Sequence, residues 1–136
     1  MQTKNLLIVD DSRMVRKIIS VSLKGEKQFT LYEAASGLEA LDRLSEAQID
    51  LIFTDINMPN MDGLEFIKRC KEDEMSKDIP IIVISTEDGI EDRQRAMELG
   101  ASGFVSKPLD KQSILDITNS VLKFWKPGTV KSEERT

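Results

Sequence analysis

The chain has 136 residues, 40% hydrophobic and 32% charged, enough for one domain with a real core and too few for two ordinary ones. Its net charge of -5 argues against a nucleic-acid partner, because backbone affinity is built from clustered Lys and Arg. No stretch approaches the roughly 20 apolar residues that span a bilayer, no signal-peptide core opens the chain, and the complete lack of histidine excludes histidine triads, His-containing zinc sites and a histidine phosphoacceptor, so a cytoplasmic protein without membrane insertion is expected.

Short apolar runs alternate with helical patterns five times. Leu6-Leu7-Ile8-Val9 is a continuous β-prone run, as expected of a strand buried on both faces. After Ser12, Val15, Ile18, Ile19 and Leu23 form an apolar stripe at helical spacing. Residues 29–33 alternate in polarity and read as a strand nearer an edge. A capping box, Ser36-Gly37-Leu38-Glu39, then opens a helix carrying Leu38, Leu41 and Leu44. Leu51-Ile52-Phe53 is the third strand, and Asp62 caps a helix through Leu64, Ile67 and Cys70, with Glu65 at the capping-box position. The lone Cys70 can make no internal disulfide and reads as a small core or boundary residue without a redox role.

Ile81-Ile82-Val83-Ile84 is the fourth strand, and residues 90–99 form a short polar helix stopped at Gly100. Gly103-Phe104-Val105 is the weakest strand of the five. The last helix covers residues 111–125, with Ile114, Ile117, Val121 and Phe124 on one face and Pro127-Gly128 as its stop. Strict alternation at about 20 to 25 residues per unit predicts an α/β domain of three layers, a parallel sheet covered on both sides and joined by right-handed crossovers. The domain is expected over residues 1–126, followed by a polar tail at 127–136 and no output domain.

Open α/β sheets place their sites at the carboxyl ends of the strands. Four of the five predicted strands end there in Asp10 and Asp11, Asp55, Ser85, and Lys107 followed by Pro108. Adjacent carboxylates raise each other's cost of ionisation unless a cation lies near. With Asp55 they offer hard oxygen ligands and no nitrogen or sulfur, which suits Mg²⁺. A carboxylate can attack phosphorus when a divalent cation and a cationic side chain offset the charge, and Lys107 can be that side chain. Ser85 can donate to a phosphoryl oxygen without adding charge, with Thr86 the lesser candidate by position. Each residue also has an ordinary reading: Asp10 and Asp11 as caps of the first helix, Asp55 and Ser85 as turn formers, Lys107 as a solvated charge. The Lys107-Pro108 bond is permitted to be cis. Phe104 can fill the core or move with a change of state, and residue type alone slightly favours the core.

Taken in order and spacing, Val9-Asp10-Asp11-Ser12, Asp55-Ile56-Asn57-Met58-Pro59-Asn60-Met61-Asp62-Gly63, Ile84-Ser85-Thr86 and Gly103-Phe104-Val105-Ser106-Lys107-Pro108 resemble the receiver domain of two-component response regulators, of the stand-alone chemotaxis type, over residues 4–125. The resemblance implies a doubly wound, flavodoxin-like five-stranded sheet of order 2-1-3-4-5. It implies that Asp55 takes a phosphoryl group from a phosphohistidine of a partner histidine kinase, a donor that must act in trans because this chain has no histidine. By the same resemblance Asp11 and Asp55 bind Mg²⁺ through carboxylates and Asn57 through its backbone carbonyl, while Asp10 positions the ion or its water. Ser85 bonds the phosphoryl group, Lys107 pairs with it, and Phe104 is the switch aromatic where chemotaxis relatives usually carry tyrosine. Asn57 and Glu87 stand at the two variable positions that influence hydrolysis and suggest fast self-dephosphorylation.

The implied output is a binding surface for a downstream protein, made by the fourth helix, fifth strand and fifth helix. Beyond self-phosphotransfer and self-dephosphorylation no enzyme activity is expected. A phosphorelay intermediate, passing its phosphate to a histidine phosphotransfer protein, is the alternative within the same family. An aspartyl phosphatase needs an acidic donor two residues after its nucleophile, and the amide of Asn57 is no such acid. An unphosphorylated binding module is disfavoured because no expected site residue is missing.

Overall fold

The computed structural model describes residues 3–86 and 88–124, so Glu87, Trp125, the predicted tail and the side chain of Phe124 lie outside the described residues. Five strands, β1 (Lys4–Val9), β2 (Phe29–Ala34), β3 (Leu51–Asp55), β4 (Ile81–Ser85) and β5 (Gly103–Ser106), alternate with α1 (Arg13–Lys24), α2 (Gly37–Glu46), α3 (Gly63–Glu72), α4 (Ile90–Glu98) and α5 (Lys111–Phe124). All pairings are parallel and the order is β2-β1-β3-β4-β5, as the resemblance implied. β2, the strand with alternating polarity, is indeed an edge.

Side-chain parity along the strands splits the core into two layers, because successive residues point to opposite faces. Leu7, Val9, Ile52, Ile81 and Val83 pack on one face with Ala40, Phe66, Ile67, Cys70 and Ala96 of α2, α3 and α4. Leu6, Ile8, Leu51, Phe53, Ile82 and Ile84 pack on the other with Ile19, Leu23, Ile114 and Val121 of α1 and α5. Continuous apolar runs are therefore required in β1, β3 and β4, where both faces are covered. Cys70 is fully buried, and that burial pushes its thiol up to about 12.

Helix ends follow the expected chemistry with local changes. Ser12, Ser36 and Asp62 each accept a backbone N–H three residues on, from Val15, Glu39 and Glu65. Glu39 turns back to the N–H of Ala35, closing the capping box one residue early. Glu65 does not close one: it pairs with Arg69 at 3.0 Å instead. Gly100 follows α4 at φ +115°, the left-handed backbone that favours glycine. Two aliphatic residues expected in helix stripes face outward. Ile18 is exposed because Ile19, Ser22 and Leu23 are the residues of α1 turned inward, and Leu38 is exposed because it lies about 200° around α2 from the buried Ala40. Among the described residues no helix is long and apolar enough to cross a membrane.

Candidate functional site

Strand register assembles the site. β1 and β3 pair Val9 with Thr54, so Asp10 and Asp55 leave adjacent strands at the same level. Asp55 pairs with Ile84, and Ser85 with Ser106, which brings Ser85 and Lys107 out beside them. The Lys107 N–H donates to the Ser85 carbonyl at 2.8 Å, fastening the last step. Every strand-end residue singled out in the sequence therefore reaches one edge of the sheet.

Carboxylate oxygens of Asp10, Asp11 and Asp55 lie within 4.8 Å of one another, with Asp10 and Asp55 buried and Asp11 exposed. Lys107 Nζ stands 3.9 Å from Asp55 Oδ2, and Asp55 Oδ1 accepts the Ile56 N–H at 2.8 Å. Asp10 Oδ1 accepts the Ser12 N–H at 2.8 Å. Ser12 is the residue that caps α1, so the ordinary reading of Asp10 and Asp11 as helix caps does not hold.

Burial pushes the Asp10 carboxyl up to about 6, and the charges of Asp55 and Asp11 add to it against the Ser12 N–H and Lys107. Burial likewise raises Asp55, opposed by Lys107 and by the N–H groups of Ile56 and Asn57. Carboxylates held this way ionise at a cost that a nearby cation would remove. Asp10 Oδ2 and Ser85 Oγ are both buried and have no hydrogen-bond partner among the described residues, although buried polar atoms are ordinarily satisfied. An all-oxygen donor set with an unsatisfied buried carboxylate oxygen fits a hard divalent cation such as Mg²⁺.

The loop after β3 is folded tightly under the acceptor. Gly63 donates its N–H to the Ile56 carbonyl at 2.7 Å, and a Cβ at this position would fall 2.1 Å from the Asp55 backbone oxygen. Only glycine permits that approach. Asn60 takes a positive φ of 69°, a conformation asparagine tolerates. Met58 and Met61 are buried beneath the loop while Asn57 is exposed. That anchoring role was not read from the sequence, although the spacing of Ile56, Met58 and Met61 carried the signal. The Lys107-Pro108 bond is cis.

Phe104 departs from expectation. It is 44% exposed rather than in the core, and Arg93 of α4 sits over its ring with Cζ 4.5 Å from the centroid. Strand alternation explains this: Val105 turns inward, so its neighbour must turn out. Two arginines near the site had no sequence signal, Arg93 and Arg16, since a basic residue on a helix is ordinarily a solvated one. A cleft lined by residues including Lys4, Ile49, Asp50 and Pro80 opens at the amino-terminal edge of the sheet, opposite the carboxylates, and is not where this chemistry is placed.

Residues 6–119 match the family described as the response regulator receiver domain. The chain is 36% identical over 118 residues to chemotaxis protein CheY1 of Helicobacter pylori, covering 86% of this chain and 95% of that protein. It is 39% identical over 111 residues to a protein-glutamate methylesterase/protein-glutamine glutaminase of Treponema pallidum, covering 79% of this chain but only 27% of that longer protein. The solved structure of chemotaxis response regulator CheY4 of Vibrio cholerae superposes with a TM-score of 0.82 at 34% identity, over 89% of this chain and all of that one.

Proposed function

This chain belongs to the response regulator receiver family, and from that premise we propose that it is a single-domain response regulator of chemotaxis-type signalling, phosphorylated on Asp55 by a histidine kinase in the cytoplasm. The observation that carries the reading is the cluster of Asp10, Asp11 and Asp55 within 4.8 Å, faced by Lys107 at 3.9 Å. A likeness spanning nearly the whole of a chemotaxis relative supports the single-domain part.

In this reading Asp11 and Asp55 hold Mg²⁺ through their carboxylates and Asn57 through its backbone carbonyl, with Asp10 positioning the ion or its water. The bound ion supplies neutralisation of charge on the transferring phosphoryl oxygens. An ionised Asp55 oxygen bonds to phosphorus as the phosphorus–nitrogen bond of the donor phosphohistidine breaks, and the electron pair of that bond leaves with the imidazole. Lys107 pairs with the phosphoryl group from the β5 side, and the unpartnered Ser85 hydroxyl donates to one of its oxygens. Moving Ser85 and Lys107 toward the new group draws on β4 and β5, where Phe104 lies, and so alters the face made by α4, β5 and α5. A downstream protein that binds this face reads the state.

Self-dephosphorylation completes the cycle, and no turnover of external phosphate esters is assigned, because Asn57 cannot act as an acid. Incubation with Mg²⁺ and acetyl phosphate, followed by intact mass, tests the proposal: wild type gains one phosphate and Asp55→Asn gains none. Equal incorporation by both would overturn it. Onward transfer from phospho-Asp55 to a second histidine protein would instead establish the relay role.

A further inference from the structure

We propose that Arg16 is a positioning residue of the cation site, holding the Asp10–Asp11 peptide so that the Asp11 carboxylate faces Asp55; this rests on the Mg²⁺ reading above. Arg16 Nη1 donates to the Asp10 backbone oxygen at 2.7 Å, and Nε donates to Glu33 Oε1 at 3.0 Å. Its side chain is only 15% exposed. On the other side of the same residue, the Asp10 N–H donates to the Ala34 carbonyl at 3.1 Å. The end of β1 is thus gripped from both sides by β2 and α1.

The grip matters because of what it leaves to the backbone. Asp10 Oδ1 is held by the Ser12 N–H. Among the described residues no hydrogen bond holds the exposed Asp11 carboxylate, so the backbone at the Asp10–Asp11 peptide is what fixes the point from which its side chain reaches toward Asp55. The carbonyl of that peptide is the one Arg16 binds. A guanidinium is suited to this grip, because its planar fork reaches a carbonyl and a carboxylate at once in fixed directions, which an ammonium cannot reproduce. Glu33 holds Nε and balances the charge, so a cation can stand beside a cation site without competing for its carboxylates. Groups that orient the ligands of a metal typically change its affinity by about ten- to a hundredfold when removed.

Calorimetric titration of the full chain with Mg²⁺ tests this, read beside the urea midpoint and the acetyl-phosphate incorporation rate at saturating Mg²⁺. Arg16→Met is expected to weaken Mg²⁺ about tenfold and Arg16→Lys and Glu33→Gln about threefold, with the saturated rate within about threefold of wild type. A purely structural role would lower the urea midpoint and leave the Mg²⁺ affinity alone, and that result would overturn the inference. Should Arg16→Met fail to fold, wild-type affinity in both Arg16→Lys and Glu33→Gln would overturn it equally. If wild type itself takes no Mg²⁺, the functional reading fails and the role of Arg16 falls with it, whereas wild-type binding unchanged in the variants overturns the role of Arg16 alone.

Discussion

Lys107 Nζ stands 3.9 Å from Asp55 Oδ2, beyond hydrogen-bond length yet close enough for the ammonium to favour the ionised carboxylate. One residue comes from the end of β3 and the other follows β5, with β4 between them. Lys107 opposes the rise that burial imposes on Asp55, so Lys107→Met should raise that carboxyl further. Less nucleophilic carboxylate is then present on the acidic side, and the charge on the transferring oxygens loses a partner. Phosphate incorporation at pH 7 is expected to fall by about a hundredfold, with its pH profile displaced upward. An unchanged rate and profile by intact mass would count against the assignment.

The elevated Asp10 carboxyl makes a prediction about stability. Its folded value is raised from 3.8 to about 6, so between those pH values the folded state binds the proton more strongly than the unfolded chain does. Stability from this group is therefore full below about 3.8 and is lost as pH rises toward 6, a total of about 3 kcal/mol at 1.36 kcal/mol per unit. Asp10→Asn cannot titrate. Its stability relative to wild type, from urea melts without Mg²⁺, should grow from pH 4 to pH 7. Added Mg²⁺ should shrink the difference by stabilising the wild type more than the variant, which keeps Asp11 and Asp55 but loses the carboxylate that positions the ion. A constant difference across this range would refute the burial argument.

Gly63→Ala should be among the more damaging small substitutions in the chain. Its Cβ would meet backbone atoms, the Asp55 oxygen at 2.1 Å and Ile56 Cα at 2.7 Å, which cannot swing aside as a side chain would. A loss of about 2 to 4 kcal/mol in urea melts is expected, with reduced phosphate incorporation because the displaced atoms belong to the acceptor. Near-wild-type behaviour in both measurements would show the loop to be more yielding than its contacts imply.

Arg93 over Phe104 should be visible in solution. The ring shields the arginine side chain, so its Cδ protons are expected upfield by proton NMR, and Phe104→Leu should restore ordinary shifts. Phe104 is exposed and Arg93 only half-buried, so Arg93→Gln should cost only about 0.5 to 1 kcal/mol. Phosphorylation that moves Phe104 should change the same shifts, and their invariance would separate Phe104 from the switch.

Much of this arrangement was legible in linear order. The runs in β1, β3 and β4 announced strands covered on both faces, and the alternating β2 announced an edge. Ser36 and Asp62 gave their helix starts through cap chemistry, which acts within four residues and so can be read locally, whereas the cap of α1 falls on Ser12 and not on Asp10 or Asp11. The outward turn of Ile18 and Leu38 was not legible, because helical spacing defines a stripe but not which edge of it the sheet will cover. Residue type alone slightly favoured the core for Phe104, and its exposure was not legible for a related reason: one aromatic in a short strand does not reveal which face its neighbours choose.

By itself the sequence determined the β-α alternation, the strand ends and the identity of the groups they carry, since these depend on local pattern and residue chemistry. Only the tertiary structure decided that Val9 lies level with Thr54 and Ser85 with Ser106, which makes separate polar residues one site. It also decided that Asp10 Oδ2 and Ser85 Oγ are buried with no hydrogen-bond partner among the described residues, that Arg16 grips Asp10, and that Phe104 is exposed beneath Arg93. Those features arise from packing between segments distant along the chain, and desolvation and charge coupling act through space rather than through sequence.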